Sequence, residues 1–404
     1  MKKISTYLRV GSFIKIENKI YFMNLAFNGI FYIDLNDFST HFVHKFTFEP
    51  ASAVALSTGG CMYNDGVIYF FPNNMNAIME YNIFTKKEMM IEIPYQNEKN
   101  FKFADAIRKG DMVYIFPFDI CKGIYRFYFN EQKIEKDEEL SLLFNSGFRC
   151  ANVFLVQGNR MLMGEYGGNR IVEVDLDMKK IVKVHIIAPE IKIFFICYDG
   201  NNYWILQTES LDIYEWNYQS NMIQVYTNKK ITEEKGENIE LPPYSNLIFL
   251  EDEILVLNNE LKNIWRIHRG KNVIDHPINL PEKFQCVKYS TFRGWPICDA
   301  YTILEEKVLL YSTRGNMMLI YDIKTKQLSG KEMLVSLDKD PYLDDVVKEI
   351  FEQNNNVINV EQEELYSMEA FVYTVTVKRE ITRQLCEMDV IGKSIYQIMS
   401  SAQQ

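Results

Sequence analysis

One octet recurs seven times before about residue 335, and its spacing constrains the fold more tightly than any other feature of the chain. The copies begin at Asn28 (NGIFYIDL), Asn76 (NAIMEYNI), Lys122 (KGIYRFYF), Asn169 (NRIVEVDL), Leu211 (LDIYEWNY), Lys262 (KNIWRIHR) and Asn316 (NMMLIYDI). The third position is apolar: Ile30, Ile78, Ile124, Ile171, Ile213, Ile264 and Met318. The seventh is polar: Asp34, Asn82, Tyr128, Asp175, Asn217, His268 and Asp322. Successive third positions lie 48, 46, 47, 42, 51 and 54 residues apart.

Around each octet the sequence alternates short apolar runs with turn residues. CMYNDGVIYFF reads as a hairpin closed by Asn64-Asp65-Gly66, because Asn and Gly accept the positive φ of a tight β turn. AIMEYNI follows as a third strand and TKKEMMIEI as a turn and a fourth. ANVFLV, RMLMGEY, RIVEVDL and KKIVKVHI repeat the scheme in the fourth unit. A period of about 40–50 residues with four strands per unit predicts an all-β, seven-bladed β-propeller. Blades stack face to face, so strands such as VIYFF are apolar throughout instead of alternating. The propeller is expected over residues 1–335, with residues 2–10 (KKISTYLRV) closing the last blade as a lone strand.

The repeat resembles those of the β-propeller superfamily. The phrase GN or NDG, then an apolar strand, then N-x-I-x-x-Y-D-x-x-T, is similar to kelch-like, YVTN-like and related bacterial repeats. Gly59-Gly60 and Gly167-Gly168 resemble the kelch glycine doublet. The resemblance covers about residues 10–335 and implies a fold. It implies little about activity, since propellers include binding scaffolds, lyases, hydrolases and sugar-binding proteins.

Residues 336–404 form a C-terminal, mostly helical extension by this reading. DKDPYLDDVVKEIFEQ places Leu343, Val346, Val347, Ile350 and Phe351 on one helical face. A second run, from about Glu361 to Leu385, starts as a helix and contains the β-prone FVYTVTV. The extension is expected to pack under the ring or to dock a protein partner.

Composition narrows the function classes. A formal charge of −10 argues against a nucleic-acid partner. No run of 18 apolar residues occurs, so no membrane partner is expected, and MKKISTYLRVGSFIKI lacks the apolar core of a signal peptide. The expected location is cytoplasmic. Cysteines at 61, 121, 150, 197, 286, 298 and 386 are scattered without a CxxC pair, as small core residues are.

The strand order places candidate ligand residues. In a four-stranded meander, the loop entering the first strand and the turn between the second and third lie on one face of the disc. That face gathers Arg149, Glu165, Tyr166 and Arg170 from blade 4, and Arg293, Trp295 and Arg314 from blade 7. Asp119 and Lys122 (blade 3), Asn73 and Asn74 (blade 2), and Asn258, Asn259 and Glu260 (blade 6) belong to it too. Arg149, Tyr166, Arg170, Arg293, Trp295 and Arg314 make a candidate site for a small anionic or sugar-like ligand. Guanidinium groups fork onto carboxylate or phosphate, and aromatic rings stack on sugars. The plainer alternative is rim arginines paired with local acids. In YGGNR the glycines also have a purely structural reading, as a hairpin turn between Tyr166 and Arg170.

No metal site or cofactor is expected. His41 and His44 in THFVH fall three apart in a strand and so point to opposite faces. His185, His268 and His276 are isolated, and no nucleophile elbow, zincin motif or P-loop is present. EKDEEL and EEKGE are read as solvated loops, and the paired methionines as core fillers. The function expected is a non-enzymatic binding or scaffold protein presenting loops around a channel. The alternative is a lyase or hydrolase with its site at the channel mouth, marked by an acid and a histidine or tyrosine beside an arginine.

Overall fold

The structure is a computed structural model. It describes residues 5–8, 10–24, 29–47, 60–72, 77–94, 103–144, 147–156, 158–227, 243–258, 263–269, 274–284, 298–312 and 317–336. The extension beyond 336 lies outside the described residues.

Seven four-stranded antiparallel sheets follow one another along the chain. Blade 1 comprises β2 (Val10–Ile16), β3 (Lys19–Asn24), β4 (Gly29–Asp34) and β5 (Thr40–Lys45). Blade 2 comprises β6 (Cys61–Asn64), β7 (Val67–Phe70), β8 (Ala77–Asn82) and β9 (Glu88–Glu92). Blade 3 comprises β10 (Phe103–Lys109), β11 (Met112–Pro117), β12 (Ile124–Tyr128) and β13 (Lys133–Asp137). Blade 4 comprises β14 (Cys150–Leu155), β15 (Arg160–Glu165), β16 (Arg170–Asp175) and β17 (Lys180–Ile186). Blade 5 comprises β18 (Ile193–Tyr198), β19 (Tyr203–Gln207), β20 (Ile213–Trp216) and β21 (Ile223–Tyr226). Blade 6 comprises β22 (Tyr244–Phe249), β23 (Glu253–Asn258), β24 (Asn263–His268) and β25 (Ile274–Asn279). Blade 7 comprises β26 (Cys298–Ile303), β27 (Lys307–Ser312), β28 (Met317–Asp322) and β29 (Leu328–Glu332).

The core is divided among the seams between blades. Separate apolar clusters join blades 1 and 2, 2 and 3, 3 and 4, 4 and 5, 5 and 6, and 6 and 7. A seventh, with Phe22, Phe31, Leu309, Tyr311 and Met318, joins blade 7 back to blade 1. The molecule is therefore a closed seven-bladed β-propeller. Phe13 packs on Tyr311 across the closing seam, with ring centroids 4.9 Å apart. Beyond blade 7, β30 (Leu334–Ser336) pairs antiparallel with β1 (Ser5–Tyr7), as a ribbon separate from the sheet of blade 7.

The octets account for both the seams and the outer turns. All seven third-position residues sit at the start of third strands and are at most 1% exposed. β-branched side chains suit this site because both faces of each sheet are covered. Five seventh-position residues accept backbone N–H bonds from the turn that follows. Asp34 accepts from Asn36, Asn82 from Phe84 and Thr85, Asp175 from Asp177 and Met178, Asn217 from Ser220, and Asp322 from Thr325. Four residues after the seventh position, Phe38, Lys86, Gln132, Lys179, Asn221 and Lys326 all adopt positive φ. These short side-chain-to-backbone bonds fix the turn between third and fourth strands. In the hairpin predicted at Asn64-Asp65-Gly66, Asp65 and Gly66 have φ of 47° and 85°, as a mirror-image type I turn requires.

First strands of blades 1 and 2, and of blades 3 through 7 in turn, approach one another, as strands lining a central axis do. Side chains tie them together there. Asp105 accepts from the Val153 amide, Asn152 exchanges two hydrogen bonds with the Ile196 backbone, and Ser245 donates to the Cys298 carbonyl.

Candidate functional site

Three of the six candidate ligand residues lie together on blade 4. Arg149 precedes β14, Tyr166 follows β15, and Arg170 opens β16. The Tyr166 amide donates to the Arg149 carbonyl at 2.7 Å, which fixes the loop entering the blade against its inner turn. Arg293, Trp295 and Arg314 lie outside the described residues, as do Asn73, Asn74, Asn259 and Glu260.

The two arginines differ in their surroundings. Arg170 forks onto Glu165, with Nε to Oε2 at 2.7 Å and Nη2 to Oε1 at 2.5 Å. That hydrogen bonding pushes the Arg170 pKa above its ordinary value. Gly168 makes room for the pair, since a Cβ there would meet the Glu165 carboxylate. Arg170 follows the plainer alternative, a rim arginine matched to a local acid. Arg149 is exposed and has no ion pair among the described residues; its guanidinium lies 6.0 Å from the centroid of the Phe118 ring.

YGGNR has the structural role that a hairpin turn implies, and it reaches the next blade as well. Gly167 has φ of 71°. Its amide donates to the Ile193 carbonyl at 2.7 Å, and the Ile193 amide returns a bond to the Gly168 carbonyl at 2.8 Å. The turn of blade 4 is thereby stitched to the first strand of blade 5. On the other side, residues 119 and 149 form a β-bridge, and the Cys150 amide donates to the Phe118 carbonyl. Loops of blades 3, 4 and 5 are thus fixed to one another by backbone bonds.

This stitching brings in two rings that motif reading missed. Phe118, after β11, meets Tyr166 edge-on at 5.2 Å, and Phe194, in β18, meets it at 6.1 Å. Their only sequence signal is register: each sits where a second strand ends or a first strand begins, on the face already assigned to the ligand loops. The result is a half-buried row of Phe118, Tyr166 and Phe194 beside the Arg149 guanidinium.

Acid and histidine chemistry is sparse here. Asp119 accepts from the Cys121 thiol at 3.1 Å. Asp105, in the inner strand of blade 3, is pushed up to about 6 by burial, against hydrogen bonds from Val153 and Ala106. Its two carboxylate oxygens each take one of those backbone amides, which makes it a clamp between blades 3 and 4. His185 is buried beside Glu173 and Trp216. His41 bonds Ser39 and stacks on Tyr32, whereas His44 bonds Glu88 and stacks on Tyr81. No group of three metal-ligating side chains occurs among the described residues.

No family model matches the chain, and no curated protein sequence does. Solved structures do resemble it. Virginiamycin B lyase from Staphylococcus aureus aligns with TM-score 0.52 and 14% identity over 78% of this chain and 96% of that one. A streptogramin B lyase structure aligns with TM-score 0.53 and 14% identity over 81% and 94%. The extracellular domain of a putative one-component system from B. thetaiotaomicron aligns with TM-score 0.50 and 12% identity over 78% of this chain. The chain spans only 39% of that last protein's length. None of these neighbours is a kelch protein by name, so of the expected resemblance the propeller fold stands and its kelch part does not. The likeness is one of fold: this chain is a seven-bladed β-propeller.

Proposed function

We propose that the protein is a non-enzymatic binding module that holds a small anionic, sugar-like ligand over the loops of blades 3, 4 and 5. The observation that carries this reading is Arg149, an exposed guanidinium without an ion pair among the described residues, set near Phe118, from which an aromatic row runs through Tyr166 to Phe194. A carboxylate or phosphate meets the guanidinium fork, while a ring lies on the aromatic row. The overall charge of −10 would repel such a ligand elsewhere, which favours capture at the local cation. Arg170 frames the site through Glu165 and does not compete for the ligand. The lyase or hydrolase alternative has its marker in Asp119 and Tyr166 beside Arg149, but the Asp119 carboxylate accepts from the Cys121 thiol and no histidine joins them among the described residues, so binding is the reading favoured here. A reducing, cytoplasmic setting fits the five described cysteines, none of which forms a disulfide among the described residues.

The test is thermal shift and calorimetry with glucuronate, galacturonate, glucose 6-phosphate and a nucleoside monophosphate. Binding of at least one is expected, with Arg149→Ala weakening it by about 1.5–3 kcal/mol, the range for a hydrogen bond to a charged group. Tyr166→Ala should weaken it less. A ligand that stabilises wild type and Arg149→Ala equally, or the absence of binding by all four, would overturn the reading.

A further inference from the structure

The outer strand of blade 4 differs from the other described outer strands. Strand β17 is seven residues long and, among the described residues, pairs only with β16. Four β-branched side chains on it are exposed: Ile181 at 38%, Val182 at 39%, Val184 at 45% and Ile186 at 62%. By contrast, β9 and β21 each expose one large apolar side chain, and β29 (LSGKE) exposes none. An unpaired edge offers a row of free backbone N–H and C=O groups, and natural sheets blunt it with short strands, charges or cover. Strand β17 is neither short nor polar. Its charges are Lys180 and Lys183, exposed and without ion pairs among the described residues.

We propose that residues 371–377 of this same chain add to β17 as a fifth strand of blade 4. The chain continues for residues 337–404 beyond β30. Within that stretch, FVYTVTV alternates Phe371, Tyr373, Val375 and Val377 with smaller or polar residues, which is the pattern of a strand with one apolar face. Ahead of it stand Glu361, Glu363, Glu364 and Glu369, opposite in sign to Lys180 and Lys183, and behind it Lys378 and Arg379; addition parallel to β17 sets the acidic flank beside the strand's lysines and the basic flank at its far end. A second copy of β17 fits less well, because antiparallel pairing of two such strands would gather their lysines into one ribbon. Reach is not limiting. The connecting stretch 337–370 has a coil dimension of about 30 Å and an extended limit of about 110 Å. Strand addition of this kind draws affinity from main-chain hydrogen bonds and specificity from alternate side chains. It gives the extension a docking place on its own ring, independent of the ligand reading above.

The test is hydrogen exchange on the full-length chain, comparing wild type with the double variant Tyr373→Asp, Val375→Asp. Amides of residues 181–186 should exchange at least tenfold faster in the variant, while those of β29 are unchanged. A reciprocal variant, Val184→Lys, should speed exchange in residues 371–377 without lowering the melting temperature. Equal exchange of β17 in wild type and the double variant would overturn the proposal. So would slow exchange that survives in the variant and depends on protein concentration, which would assign the edge to a second copy.

Discussion

Two seams of the ring carry a glutamate at the same octet position and treat it in opposite ways. Glu173, between blades 4 and 5, and Glu80, between blades 2 and 3, are both fifth residues of their octets and both nearly fully buried. Burial raises the Glu173 carboxyl, but hydrogen bonds from His185, Tyr218 and Arg160 outweigh it, and the net shift is downward. Burial pushes Glu80 up to about 7, and the nearby Gln132 side chain offsets this only in part. The Glu80 Oε1 is buried without a hydrogen-bond partner. The register supplies the cause. Arg160 faces Asp175, the seventh octet residue; in blade 2 the residue facing Asn82 is Val67. His185 faces Ile171, the third octet residue; in blade 2 the residue facing Ile78 is Ile91. Two polar partners in one blade are apolar in the other. One carboxyl is held ionised as part of a network, and the other is shifted so that it keeps its proton well above the ordinary carboxylate range, as the cost of an unpaired buried charge dictates.

If the seams differ only in these polar partners, their apolar parts should respond alike. Ile78→Ala and Ile171→Ala each remove a buried third-position side chain from one of these two seams and should each cost about 2–5 kcal/mol in urea unfolding. A large gap between the two would mean that the seams also differ in packing. The next effect is the pH response of Glu80→Gln. The folded pKa lies above the ordinary value, so the native state binds the extra proton between about pH 4.5 and 7. Wild-type stability should therefore fall as pH rises through that window. The variant should lack the fall and exceed wild type at pH 8 by about 1–3 kcal/mol after allowing for solvent screening, with the two alike at pH 4. Parallel stability curves across pH would remove Glu80 as the cause. The smallest effect expected is Glu173→Gln, with the opposite sign. The depressed carboxyl contributes stability above its unfolded pKa that is lost as pH falls through the folded one. The variant should be weaker than wild type at pH 7 by about 1–2 kcal/mol and approach it in acid. A variant as stable as wild type at pH 7 would show that the network is neutral in sum.

The sequence carried the blade count because ring geometry repeats locally. Each octet marks a strand buried on both faces, and five of the seven mark a turn closed by their own Asp or Asn, so neither depends on distant residues. The buried charges at the fifth position were not legible in the same way. Glu173 is completed by Arg160 and His185 in other strands of its blade and by Tyr218 from the next. Nothing in RIVEVDL announces those partners. The candidate site divides along the same line. Arg149, Tyr166 and Arg170 were found because turn residues betray the loop face, and the fork between Arg170 and Glu165 sits within one hairpin. Phe118 and Phe194 were missed because aromatic residues are common in this chain, and only bonds between blades single out these two. Of the strand expected at residues 2–10 to complete the last blade, the described part, β1, pairs instead with β30 outside the sheet of blade 7, a partner that no pattern in the repeats announced.

Every blade is built from one uninterrupted stretch of chain, and no blade borrows a strand from another. The propeller is thus a split washer: six seams have peptide bonds running across them, and the seventh is held by side chains and a three-residue clasp. Stretching or thermal agitation that parts two blades has one place where the backbone does not resist. The split is also arbitrary in position. Because every blade is self-contained, the same ring could be cut at any inter-blade loop and sealed at the present one without altering a single strand pairing within the blades.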